Sequence, residues 1–191
     1  MPSAEGTLTW EPLAERLDIV APPVAAAAAL VPQARVAEID PTLADTAAFC
    51  EAYDVAPEAS ANCVVVFGRR GEESTFAAVI VLATDRADVN KTVRKELGMR
   101  KMSFADQGTV ERLTGMSQGG ITPVGLPDGW PILIDEAVVA AGPVVGLPGV
   151  VVGGVAGVAL QLAAIGTMHA LVLARAPQAV ATATGITMTG Y

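Results

Sequence analysis

Apolar and polar positions along this chain recur in two periods, one suited to strands and one to helices. LTWEPLAERL (8–17) is a short amphipathic segment, and the run VAAAAAL (24–30) behind Pro22-Pro23 predicts a helix, because proline is tolerated in a first helical turn. ARVAEID (34–40) alternates and predicts a strand. Asp40-Pro41-Thr42 ends that strand and opens a predicted helix over TLADTAAFCEAYD, with Thr42 as N-cap facing Asp45. Leu43, Ala47, Phe49 and Cys50 would form its buried stripe. ANCVVVFG and TFAAVIVLA predict two strands joined at Arg69-Arg70-Gly71-Glu72 as a hairpin.

The pattern then changes period. From Asp85 to Gly98, Val89, Val93 and Leu97 share one side and the basic residues another, which predicts a helix. KMSFA predicts a short strand, and Asp106 is placed to cap a helix that Gly115 stops. MSQGGITPVGLPDGW (116–130) reads as the longest Gly/Pro-rich loop, and PILID as a buried strand ending at two acids. A helix over Thr167 to Ala174 and a strand over AVATAT complete the prediction. Strands separated by helices, with at least one hairpin, imply an α/β fold with a mixed sheet.

Between Ala137 and Ala174 no charged residue occurs, and Gly149, Gly153 and Gly157 stand four apart. A membrane helix would tolerate that spacing. Pro143, Pro148 and the interleaved glycines break such a helix, however, and valine clusters favour strands. Two buried strands joined by a tight turn at Gly153-Gly154 are expected instead, and no membrane.

Composition sharpens the class. The chain has 191 residues, 52% of them hydrophobic, enough for one domain with a real core. Cys50 and Cys63 read as buried thiols of a reducing compartment. MPSAEGTLTWEP lacks a basic region leading into an apolar run, so a secretory signal is not expected and a cytoplasmic location is. The net charge of −8 argues against broad nucleic-acid binding. Residues 1–60 hold ten acids against Arg16 and Arg35, so that segment carries the whole excess. Arg86, Lys91, Arg94, Lys95, Arg100 and Lys101 crowd one stretch opposed only by Asp88 and Glu96, leaving a local positive face.

Five elements in order carry a resemblance. The basic helix ends at Leu97-Gly98; Lys101 to Ala105 follows; Thr114-Gly115 precedes the loop; Gly119-Gly120-Ile121-Thr122-Pro123 forms a glycine-x-x-x-proline turn two residues before Gly125; and Ile134-Asp135 closes the series. Together, over roughly residues 36–165, they resemble the YbaK/ProX aminoacyl-tRNA editing domains, which also occur inserted in prolyl-tRNA synthetases. The resemblance implies a twisted, partly barrel-like mixed sheet surrounded by helices, with residues 1–35 as a helical extension and 36–191 as the editing domain. It also implies hydrolysis of amino acids wrongly attached to tRNA, usually tRNA for proline. The loop has its own physical logic. Glycines leave backbone N–H groups open to close approach, such donors stabilise an oxyanion, and proline stiffens the turn.

On this resemblance Asn62, Gly119 and Gly120 are the catalytic candidates. Ile121, Thr122, Pro123, Gly125, Gly153 and Gly154 would bind substrate, and Lys91, Arg94 and Lys95 would hold tRNA phosphates. The chain departs from the family at two places. Asn62 stands where the family has a lysine at the start of the first hairpin strand, and no basic residue follows Gly153-Gly154. Asparagine supplies neutral donor and acceptor groups only, and charge-assisted bonds are about twice as strong. Either Lys91 or Arg94 reaches toward the site, or Asn62 orients water or substrate while the loop does the chemistry; the second is favoured. The expected partner is the acceptor end of an aminoacyl-tRNA, with no DNA, and a homodimer stays open. A non-catalytic binding module is the alternative function.

Other chemistry finds little support. His169 is the sole histidine and no GxSxG accompanies it. One histidine and two cysteines give no metal-ligand spacing, so neither metal nor cofactor is expected. Cys63 follows Asn62 on one strand and points to the opposite face.

Overall fold

The computed structural model describes residues 4–43, 45–142 and 144–146, together with the backbone of 157–162, 170–173 and 180–183. The described strands are β1 (Glu11–Pro12), β2 (Arg35–Ile39), β3 (Ser60–Arg70), β4 (Glu73–Leu82), β5 (Lys101–Phe104), β6 (Ile132–Asp135), β7 (Val144–Gly146), β8 (Gly157–Leu162), β9 (Ala170–Leu173) and β10 (Val180–Ala183). They form a single open sheet in the order β1-β2-β8-β7-β3-β4-β6-β9-β10, with β5 added to β3. The sheet is mixed: β3·β7, β4·β6 and β6·β9 are parallel and the other pairs antiparallel. Helices flank it, as expected for an α/β fold, but the path does not close into a barrel.

The β3–β4 hairpin is the centre. Its register runs from Ala61↔Leu82 to Arg70↔Glu73, and Gly71 turns the chain at φ +63°. Ala77 to Leu82 are buried without interruption, because both faces are covered. Ala61, Ala78, Ile80 and Leu82 pack with Ile132, Ile134 and Val138 on one face. Val66, Ala77, Val79 and Val81 pack with Val89, Val93, Met102 and Leu133 on the other. Each valine, leucine, isoleucine or methionine fully buried in this way stabilises the fold by roughly 1.5–3 kcal/mol relative to exposure.

Among the helices, α1 (Pro22–Ala27) starts at the proline pair. Its Val24 joins Leu13, Val31, Val36, Met116 and Val124 in one cluster, so the amino-terminal residues share a core with the long loop. α2 (Thr46–Tyr53) begins later than the pattern predicts. Asp45 is the N-cap and accepts from the N–H groups of Ala47 and Ala48. Thr42 instead lies in a one-turn 3-10 segment, where its N–H and hydroxyl donate to Asp40. Phe49 and Cys50 are buried on α2 while Ala47 is exposed.

Three further differences have local causes. The helix expected over 85–98 is a π turn, Val89–Val93, continuing into α3 (Arg94–Glu96). The Val93 N–H reaches back five residues to the Asp88 carbonyl, and the Asp88 carboxylate takes the Lys91 N–H. After β6, Asp135 caps an unpredicted helix, α5 (Glu136–Ala141), by accepting from the Ala137 N–H. The helix expected over Thr167 to Ala174 is contradicted at 170–173, which form β9 beside β6. An unbroken apolar run of four suits a parallel strand covered on both faces as well as a helix, and pairing decides. β7 and β8 are antiparallel as expected; the turn foreseen at Gly153-Gly154 lies outside the described residues.

α4 (Gln107–Thr114) matches its prediction, capped by Asp106 and ended by Gly115 at φ +68°. The hydroxyl and N–H of Thr109 hold the Asp106 carboxyl below its usual range, and those of Thr42 do the same for Asp40. A carboxylate whose pKa is lower folded than unfolded stabilises above the unfolded value, and loses that effect as pH falls through the folded one. The melting-temperature gap between wild type and a D40A/D106A double variant should therefore be constant above about pH 5 and shrink below about pH 4, as read by circular dichroism melts. A gap independent of pH down to strong acid would contradict this origin.

Candidate active site

Two strands share the edge of β3 that faces away from β4. β7 pairs with Ser60 and Ala61, and β5 pairs with Val66 to Arg69. Residues 62–65 of β3 therefore meet no described strand on that edge, apart from the Ala105 N–H, which donates to the Val65 carbonyl at 3.0 Å. A cavity of about 270 Å³ opens at this gap, walled by Cys63, Val64 and Val65, by Phe104 and Ala105, by Gln107, Val110 and Glu111 of α4, and by Gln118, Gly119 and Ile121.

The loop is shaped by what its amides do. Gly119 adopts φ +77°, a left-handed conformation that costs other residues roughly 1–2 kcal/mol. The N–H of Gly120 donates to the Ser117 carbonyl at 2.9 Å, closing a turn. That of Gln118 donates to Glu111 Oε1 at 2.8 Å, and that of Thr122 to the Met116 sulfur. Among the described residues the N–H groups of Gly119 and Ile121 donate to no protein acceptor, and both residues line the cavity. Thr122 and Pro123 turn inward and are buried. The uncommitted donors are thus Gly119 and Ile121, with Gly120 held internally.

Asn62 is half-buried on β3, directly before Cys63, and its side-chain oxygen accepts from the Thr46 hydroxyl at 2.9 Å. It does not line the cavity. Burial pushes the Cys63 thiol up to about 12, so at neutral pH it carries no thiolate nucleophile. Burial also raises the Cys50 thiol. Glu111 supplies the one carboxylate of the cavity wall, its Oε1 fixed by the Gln118 N–H and by Gln107. Sequence reasoning missed it, because a charged residue in the middle of VERLTG looks like ordinary helix surface.

A second cavity, about 590 Å³, lies on the other side of β5, lined by Phe67, Arg69, Asn90, Arg94, Arg100, Lys101, Met102 and Ser103. Of the three predicted phosphate-binding residues, Arg94 reaches this cavity. Lys91 and Lys95 are exposed on the π turn and α3 without lining it.

Gly125 has a visible packing role. At φ +81°, a Cβ added there would meet the Pro23 carbonyl oxygen at 2.4 Å and the Val24 nitrogen at 2.8 Å. The position lets α1 seat directly on the loop. Gly125→Ala adds backbone strain of roughly 1–2 kcal/mol to overpacking of about 1–3 kcal/mol. At about 2–4 °C per kcal/mol for a chain of this size, the melting temperature should fall by roughly 5–15 °C, by calorimetry or circular dichroism. An unchanged melting temperature would mean that α1 does not pack there in solution. Gly153 and Gly154 lie outside the described residues.

No helix among the described residues is long and apolar enough to cross a membrane. In sequence, the chain matches no curated protein. In structure it is similar to a hypothetical protein, with TM-score 0.58 and 21% identity over 70% of this chain and 82% of that one. It is also similar to a scaffold used for computational grafting of linear epitopes, with TM-score 0.59 and 19% identity over 73% and 86%. A third similar structure is a candidate trans-editing enzyme for prolyl tRNA synthetase, with TM-score 0.57 and 17% identity over 74% and 87%. At these identities the likeness establishes the fold. The family model for the aminoacyl-tRNA editing domain matches residues 40–151, more than half of the chain and the span that holds β3, the edge cavity and the glycine-proline loop; the protein belongs to the aminoacyl-tRNA editing domain family.

Proposed function

We propose that this protein deacylates wrongly charged aminoacyl-tRNA in trans, on tRNA of the proline type. The observation that carries the reading is the pair of uncommitted N–H groups, Gly119 and Ile121, on the wall of a cavity at the open edge of β3. In the reaction, water adds to the ester carbonyl carbon and the carbonyl oxygen becomes an oxyanion held by those two donors. Glu111 takes the proton from the attacking water. The bond to the ribose oxygen then breaks, and that oxygen leaves with the proton from Glu111, giving free amino acid and tRNA.

The assay is ester loss from a panel of purified aminoacyl-tRNAs. One of them should be hydrolysed well above the buffer rate; none accelerated would exclude the enzyme. The second reading, a non-catalytic binding module, is favoured by the bond between Asn62 and Thr46, which leaves no charged group at the place of the family lysine. The same panel separates the two: a protein that binds an aminoacyl-tRNA but hydrolyses none of them would be a binding module.

A further inference from the structure

In a chain with only 4% aromatic residues, two of the four phenylalanines and one of the two tryptophans gather on one face of the β3–β4 hairpin. The Phe67 and Phe76 rings lie 4.7 Å apart, and Phe76 stacks on Trp130 at 4.9 Å with an interplanar angle of 12°. The Arg69 guanidinium sits 5.0 Å over the Phe67 ring. Phe67 and Arg69 also line the basic cavity, where Arg94, Arg100 and Lys101 join them with no acid in the wall. Among the described residues none of these four cations forms an ion pair. On a protein of net charge −8, four like charges converging without a counter-charge repel one another, and an anionic ligand relieves that repulsion. Flat guanidinium and aromatic surfaces beside phosphate-binding cations suit a nucleotide with an unpaired base, because bases stack on both.

We propose that this cavity is a subsite for single-stranded RNA, with phosphates on Arg94, Arg100 and Lys101 and a base stacked at Arg69–Phe67. Its position follows the strands. Phe67 lies two residues, roughly 7 Å, along β3 from Val65 in the wall of the edge cavity, and Ser103 and Phe104 are consecutive residues of β5 lining one cavity each. Phe104, 63% exposed, stands at the rim. Resting on the deacylase reading, the subsite would thread the unpaired 3′ end so that its terminal ester reaches Gly119.

The test is fluorescence anisotropy with a short labelled single-stranded RNA ending in CCA, between about 50 and 200 mM salt. Three phosphate contacts predict a logarithmic salt slope of about −2, and an R100Q/K101Q variant should flatten it by about 1.4. Phe67→Leu, which keeps the packing on Phe76, should weaken binding at least about fivefold with the slope unchanged. Equal binding by both variants, equal binding of a blunt duplex, or competition by AMP or inorganic phosphate as strong as by RNA would each overturn the subsite. Deacylation by the same variants keeps the two ideas apart. Binding that responds to the substitutions without any hydrolysis supports the subsite and removes the deacylase. Hydrolysis without a change in RNA binding removes the subsite alone.

Discussion

Replacing Gly119 by valine is expected to slow ester hydrolysis by about 10²–10³-fold, the loss associated with one oxyanion donor. At φ +77° the β-branched side chain is disfavoured, so the backbone rotates and carries the Gly119 N–H away from the cavity. The Gly120-to-Ser117 turn adjoins this peptide, and the Ile121 donor should shift with it. Gly119→Asn serves as the control, since asparagine enters left-handed backbone more readily than other non-glycine residues. It should keep far more activity than the valine variant. Initial rates on the best substrate, with melting temperatures for both proteins, make the comparison. Equal activity in all three would remove the loop from the chemistry.

The second large effect is expected from Glu111→Gln. General-base catalysis is worth about 10²–10⁴-fold, and glutamine cannot take a proton from water. Glutamine retains an oxygen acceptor for the Gln118 N–H, so the loop anchor at 2.8 Å survives the exchange. A structural role for Glu111 thus predicts little change in rate, whereas the proposed one predicts a large fall in kcat at nearly constant KM. An E111Q protein of near wild-type rate would reassign the base.

The hairpin, α4 and the loop were legible in the chain because their determinants are neighbours in sequence. Asp106 caps the helix that Gly115 ends, and Gly71 turns β3 into β4. Helix caps moved by a few positions for equally local reasons: Asp45, not Thr42, had helical N–H groups within reach. The misread segment at 170–173 shows the limit. Ala170-Leu171-Val172-Leu173 has no period of its own, and pairing with β6 settled it.

What the order of residues dictated, then, was a mixed α/β domain and a glycine-proline loop in the register of an editing family, since turns, caps and alternation act over a few bonds. It did not dictate which donors the loop leaves uncommitted. That follows from the Gly120 N–H closing on Ser117. Nor did it place Glu111 on the cavity wall or Arg69 beside Arg94 and Arg100. The gap itself arises because β5 and β7, far apart in the chain, take opposite ends of one edge of β3. Such convergence depends on strand pairing across long chain separations, which a linear pattern of apolar and polar residues does not encode.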